Sequence, residues 1–440
     1  MNNQVRFWLL LLAFPLSACV DKDCCVTTQT QNSIINPTPT GRLNDTGITS
    51  CADYAFGDTR SGKHNNDVHC SLLTDVDGDP VPLGQDAVYG RDFTHNDDSD
   101  GHAGFSFTKI GASGEALPAD APQWRCVKDN VTGLIWEIKQ GQTNQIIGDA
   151  GLHDPDDRYT WYNSNASVKG GHEGSADGGE ANCSGYSAAD TVSYCNTEAY
   201  VKRVNKAGLC GASDWRMPSV KELTSLADLS LTVIAIDQRY FPQTQATAYW
   251  SNTVLTHVYN LGDARVLAVS FGRWVIPWGS DGALKAGVYD DQPSPTSAYH
   301  PIRLVRSGLQ TANTQTTPLS AFCNNPSLPE STPTRDFTIH NDRTVTHTTT
   351  GLMWKRDTEY ELMSWKDALD HVQTLNRQGG YAGYTDWRLP NFKEIQSIVE
   401  YCRILSNIVE YCRILSSVSW LLVGIEPRSF FYAQFEYVFF

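Results

Sequence analysis

The chain is predicted to be α+β, with helices preceding strands inside a structural unit instead of alternating with them. Three observations carry this. Apolar residues fall at helical spacing at Val220, Leu223 and Leu226 and again at Phe392, Ile395 and Ile398. Runs of strand composition follow at 248–253, 266–271 and 301–306, and the helical block itself recurs in the sequence.

The recurring block is Gly211-Ala-Ser-Asp-Trp-Arg-Met-Pro-Ser-Val-Lys-Glu-Leu223, which returns as Gly383-Tyr-Thr-Asp-Trp-Arg-Leu-Pro-Asn-Phe-Lys-Glu-Ile395. Pro218 and Pro390 bias the residue before them to an extended conformation, and Ser219 and Asn391 stand where a helix N-cap belongs. Upstream, Asp129-Asn-Val-Thr-Gly-Leu-Ile-Trp-Glu137 is echoed by Thr346-His-Thr-Thr-Thr-Gly-Leu-Met-Trp-Lys355. The order is kept, so a whole unit is repeated.

From the N-terminus, residues 1–19 have the layout of an export signal: Arg6, the apolar run Phe7–Phe14, then Leu16-Ser-Ala-Cys19. Leu-Ser-Ala-Cys resembles a bacterial lipobox, which makes Cys19 the expected lipidation site and an outer-membrane lipoprotein the expected product. Residues 20–50 are rich in Thr, Asn, Gln and Pro and read as a flexible tether, and 51–124 as a loop-rich, Asp- and Gly-rich subdomain. Residues 125–308 form the complete unit: a strand at 125–130, a turn at Thr132-Gly133, a strand at 134–136, a long insertion, a helix at 198–207, the helix after Ser219, and three strands. The last strand is expected to pair with the first. A linker at 309–334 leads to a truncated second copy at 335–400. The nine residues Ile398–Ser406 are repeated at once as Ile408–Ser416, and 401–440 has no counterpart in the first copy, as a frameshift would produce.

Composition narrows the function. The 440 residues are 40% hydrophobic and 11% aromatic, enough for packed cores, and carry a net charge of −15. An acidic chain is a poor partner for nucleic acid, which requires a basic face. Cysteine spacing makes no paired zinc framework, so disulfides in an oxidising compartment are expected. The favoured bridges are Cys51–Cys70, Cys183–Cys195 and Cys126–Cys210, one of several possible connectivities. Two acidic clusters, Asp75, Asp77 and Asp79, then Asp97, Asp98 and Asp100, have the alternate carboxylates a calcium ion takes, and equally the Asp-Gly chemistry of plain turns. Catalytic signatures are absent: no G-x-S-x-G elbow, H-E-x-x-H, phosphate loop or dinucleotide fingerprint occurs, so no enzyme is expected.

Asp129–Glu137, Gly208–Pro218, Lys221-Glu-Leu223, Tyr249-Trp-Ser-Asn252 and Arg303-Leu-Val-Arg306 together resemble the Lcl C-terminal domain, first named for the Legionella collagen-like adhesin. The resemblance covers all of the first copy and about half of the second. It implies a C-type lectin-like fold, two helices and a curled antiparallel sheet, and a surface binding role. That adhesin takes sulfated polysaccharides as a trimer, whereas this chain is acidic; the Glu-Pro-Asn and Trp-Asn-Asp motifs of calcium-dependent lectins are missing from the first copy. The paired active-site cysteines of the distantly similar formylglycine-generating enzymes have no evident equivalent.

The repeated Trp136, Trp215, Trp250, Trp354 and Trp387 are assigned to cores, and Arg216 and Arg388 to a carboxylate or a helix carbonyl. Ligand contacts are assigned to aromatics outside the repeat: Trp161 and Tyr162 in the insertion, Trp274 and Trp278 further on. The expected function is a non-enzymatic envelope module that binds a glycan or protein, as in adhesion. The alternative is a structural or assembly protein with no soluble ligand.

Overall fold

The computed structural model describes residues 42–53, 67–74, 78, 80–94, 97–166, 169, 173–176, 182–231, 233–255, 265–272, 283–284, 299–306, 336–356, 363–399 and 423–424. After a short helix, Arg91–Thr94 (α1), the stretch Phe105-Ser-Phe-Thr-Lys-Ile110 sends Phe105 and Phe107 to one core and Ile110 to the other and forms Phe107–Ile110 (β1), followed by Ala116–Leu117 (β2). Cys126–Asp129 (β3) and Ile135–Glu137 (β4) make a hairpin closed by Gly133, whose φ of 78° suits a glycine. Thr197–Ala207 (α2) and Val220–Ser225 (α3) come next, then Ala248–Leu255 (β5), Arg265–Ser270 (β6), Ala283–Leu284 (β7) and Val305–Arg306 (β8).

Five strands form one antiparallel sheet in the order β2-β1-β3-β4-β8, while β5-β6-β7 form a second. The architecture is therefore α+β with antiparallel sheets. Two details depart from expectation. The closing strand pairs with β4, through Ile135 opposite Arg306, and not with β3. And β1 pairs with β3 through Ile110 opposite Cys126, so the sheet runs through the boundary expected at 124.

Two apolar cores flank this frame. One gathers Tyr159, Trp161, Tyr200, Trp215, Trp250 and Ile302; the other Phe107, Trp136, Leu223, Phe241, Tyr249 and Phe271. Each large side chain taken fully from water contributes about 2–3 kcal/mol. All three expected bridges are formed, Cys51–Cys70, Cys126–Cys210 and Cys183–Cys195, with Cα separations of 5.1, 6.5 and 5.5 Å.

The second segment runs Phe337–Ile339 (β9), Thr344–His347 (β10), Leu352–Lys355 (β11), Met363–Ser364 (β12), Trp365–Arg377 (α4) and Phe392–Ile398 (α5); Val423–Gly424 (β13) pairs in parallel with β12. Around the helix start its local contacts repeat those of the first segment. Ser219 caps α3 and Asn391 caps α5, each closed into a box by Glu222 or Glu394 three residues on. Arg216 forks onto Glu222 at 2.8 and 2.6 Å, and Arg388 onto Glu394 in the same way. Asn205 exchanges two hydrogen bonds with the backbone of Trp215, and Asn376 with that of Trp387. Cys19 and the tail from 401 to 422 lie outside the described residues.

Candidate functional site

The insertion is tied to strand β5 by two indole hydrogen bonds. Trp250 donates Nε1 to the carbonyl of Tyr159 at 2.7 Å, and Trp161 donates Nε1 to the carbonyl of Ser251 at 3.0 Å. Trp161 is 2% exposed, so its assignment as a ligand contact is corrected: it is a core residue, packed with Tyr200 and Trp250. Tyr162 is half-buried, its backbone N–H held by Thr197 Oγ1 at 2.9 Å. Trp274 and Trp278 lie outside the described residues, as do Asp75, Asp77 and Asp79.

The second acidic cluster is corrected too. Asp97 accepts the N–H of Ser99 at 2.9 Å, Asp98 that of Ala103 at 3.0 Å, and Asp100 the hydroxyl of Ser106 at 2.5 Å. The three carboxylates tie a turn and do not converge; among the described residues no group of three or more His, Cys, Asp or Glu is placed to hold a metal ion.

What the insertion does build is a cleft of about 540 Å³, walled by Thr143, Gln145, Asp156 and Arg158 on one side and by Ile234, Gln238 and residues 242–246 on the other. Its geometry is set by an amide and carboxylate lattice. Asp156 accepts the backbone N–H of Asn144 at 2.7 Å and of Gln145 at 2.8 Å through Oδ2, and Gln245 Nε2 at 2.7 Å through Oδ1. Arg158 donates to Gln245 Oε1 from the other side, so that amide is held between a cation and an anion. Gln243 Oε1 accepts both the N–H and the hydroxyl of Thr143, at 2.9 and 3.1 Å, bridging the walls.

Two features mark this cleft. Gln145 and Gln243 have φ of 66° and 59°, a conformation that costs a non-glycine residue about 1–3 kcal/mol, and both line it. In addition, the side-chain amides of Gln145 and Gln238 and Nε2 of Gln243 donate to no group among the described residues.

A buried polar network supports the floor. Thr244 Oγ1 accepts Arg303 Nη2 at 2.7 Å, and Arg303 Nη1 donates to the carbonyl of Glu137 at 2.8 Å. Glu137 Oε1 in turn accepts Lys139 Nζ at 3.0 Å, His153 Nδ1 at 2.9 Å and the Tyr200 hydroxyl, while Oε2 accepts the N–H of Leu304 at 2.9 Å. Burial alone would raise this carboxyl; the Lys139 ammonium and the His153 and Tyr200 donors overcome it and hold the group well below the usual range. Burial lowers the pKa of Lys139 and of Arg303. Between the cleft residues in sequence, burial raises Asp157 to about 6 even though the Ser184 N–H favours its ionised form.

The family model of the Lcl C-terminal domain matches residues 125–306 and 343–413. The chain belongs to the Lcl C-terminal domain family. Comparison with curated proteins and with solved structures finds no match. Both halves of the cleft and Arg303 lie inside the first Lcl C-terminal match, and so do the motifs that signalled it. The motif residues, however, are structural: Trp136 and Trp250 are fully buried, and Arg216 serves Glu222. The cleft residues were passed over in favour of aromatics. The available signal was compositional, since both loops carry amide-rich runs, Gln142-Thr-Asn-Gln145 and Gln243-Thr-Gln245.

Proposed function

We propose that the chain is a non-enzymatic binding module of the cell envelope that takes a neutral, hydroxyl-rich glycan in the cleft between 143–158 and 234–246. The observation that carries this is the pair of αL glutamines, with Gln238, offering amides to one cleft whose only lining charges, Asp156 and Arg158, are already engaged with Gln245. Amides hydrogen-bond hydroxyls in both directions, and an acidic chain disfavours sulfated sugars. Membership of the Lcl C-terminal domain family supports a surface, adhesin-like role. The C-type lectin-like fold, the lipid anchor at Cys19 with an outer-membrane location, and an origin of the second segment by duplication with a frameshifted tail belong to the same reading, and rest on the sequence.

The test is a glycan array probed with the chain from residue 20 onward, with and without calcium. Saturable binding that weakens about 5- to 10-fold for each of Gln145→Ala and Gln238→Ala, roughly one hydrogen bond apiece, supports the cleft. Binding untouched by both variants refutes it. A blank array refutes the glycan and leaves a structural or assembly role, for which exposed Ile146, Ile147 and Val233, sequence neighbours of lining residues, are the surface to examine.

A further inference from the structure

Helices α3 and α5 touch through reciprocal contacts. Lys221 Nζ donates to the carbonyl of Ser397 at 2.9 Å, and Lys393 Nζ donates to the carbonyl of Ser225 at 3.0 Å. In the sequence repeat Lys221 corresponds to Lys393 and Ser225 to Ser397, so each contact is the image of the other. Gln396 Nε2 donates to Thr224 Oγ1 at 3.2 Å, and these two positions also correspond, which puts a local two-fold axis between them.

The relation extends into the hairpins. Asp129 acts electrostatically on Lys393, and Lys221 on His347. Positions 129 and 347 correspond, and each opens a turn whose glycine, Gly133 or Gly351, returns its N–H to that residue's carbonyl at 2.8 Å. An isologous interface has this signature, with residue i meeting j and j meeting i.

We propose that α3 is a two-fold self-pairing surface, filled within the chain by α5, and that its other partner is α3 of a second copy of this chain. Both lysine bonds have equivalents in that pairing. Lys221 would meet the Ser225 carbonyl in both halves, and Thr224 would face its own image. The two pairings differ in what each lysine meets: inside one chain Lys221 faces buried His347, whereas across two chains both lysines would face Asp129, a carboxyl whose pKa burial raises. What holds α5 in place is proximity within one chain, together with Asn391, whose Nδ2 donates to Asp86 Oδ1 at 3.0 Å, and Lys393, which also donates to the carbonyl of Asp45 and lies 4.6 Å over the Phe105 ring.

The test uses the chain from residue 20 onward. Lys393→Glu sets a carboxylate against the Ser225 carbonyl and Asp129, and is expected to release α5, seen as faster hydrogen exchange across 392–398. Light scattering should then show the mass doubling with concentration, and Thr224→Cys in that background should give a disulfide-linked dimer. Adding Lys221→Glu should restore the monomer. If Lys393→Glu does not fold, Lys393→Gln, which removes the charge and keeps the stem, carries the same readouts. A variant with α5 released that stays monomeric overturns self-pairing. A variant in which α5 stays protected overturns the lysine contacts as the hold, and dimers that survive Lys221→Glu overturn α3 as the surface.

Discussion

Glu137→Gln is expected to cost the chain about 3–5 kcal/mol, the range for breaking a buried ion pair from one side. The magnitude follows from what the carboxylate receives. It is fully buried and takes donors from Lys139, His153 and Tyr200 on one oxygen and from the Leu304 N–H on the other. An amide of the same shape presents an NH₂ to one of these donor sets whichever way it is turned. It also leaves the Lys139 ammonium, 2% exposed, without its carboxylate. Against a total stability of about 5–15 kcal/mol such a loss is readily measured by urea denaturation followed through tryptophan fluorescence at pH 7. Because the folded-state pKa of Glu137 is depressed, its contribution is fully present above the unfolded value near about 4.3 and is lost as pH falls below it. The difference between wild type and variant should therefore shrink in acid. Adding Lys139→Met removes the orphaned cation and should recover much of the loss. A penalty below about 1 kcal/mol at pH 7, or one that grows in acid, would refute the assignment of the network as an ionised, mutually satisfied cluster.

Other outcomes follow from single contacts. Burial, then the neighbouring Asp45, raises the Asp92 carboxyl to about 7, so the folded state keeps that proton while the unfolded chain gives it up near about 3.9. Stability from this group is highest at low pH and falls between about 4 and 7; Asp92→Asn should flatten the melting temperature over that window, and an unchanged slope counts against the buried acid pair. Replacing both cysteines of the Cys126–Cys210 bridge, which spans 84 residues, should cost about 4–5 kcal/mol, against about 3 kcal/mol for Cys183–Cys195, which spans 12; equal losses in urea melts would sink the loop-closure account. Arg388→Ala should cost about 2 kcal/mol and speed exchange of the Glu394 amide, as Arg216→Ala should for Glu222; protection left intact would show that the capping boxes stand without their arginines.

The frame of the fold was readable because its signals are local. Ser219 and Asn391 announce helix starts through cap chemistry, Gly208 ends α2 with a φ of 70°, and aromatic residues in β5 and apolar residues in β6 mark those strands. The sheet order was not readable, since pairing of β8 with β4 is fixed by contacts far apart in sequence. Strand β1 was hidden by its composition and surroundings: the alternation of Phe105-Ser-Phe-Thr-Lys-Ile110 breaks at Lys109, and dense Asp and Gly around it read as loop. Trp161 misled for a physical reason. A tryptophan in a long polar insertion looks exposed from sequence, yet an insertion needs its own anchor, and this one is nailed to Ser251 by its indole N–H.

The two segments divide the labour of the sequence in a way that explains where the cleft lies. Most of the repeated Asp-Trp-Arg-x-Pro block serves the scaffold: the tryptophan backbone is held by Asn205 or Asn376, the arginine by the capping glutamate, and the lysine after it by the opposite helix. The recurrence of the block reflects the need to build the same helix start twice. The proposed ligand contacts lie where the segments differ. The first segment differs most in the insertion after β4 and in the loop before β5, and those two stretches form the walls of the amide-lined cleft. The buried chain from Thr244 through Arg303 to Glu137 joins that variable loop to the sheet, so the strain at Gln145 and Gln243 is carried by a rigid frame. Loosening this chain, as Thr244→Ala would by leaving Arg303 Nη2 unpaired, should weaken ligand binding without touching a cleft-facing amide.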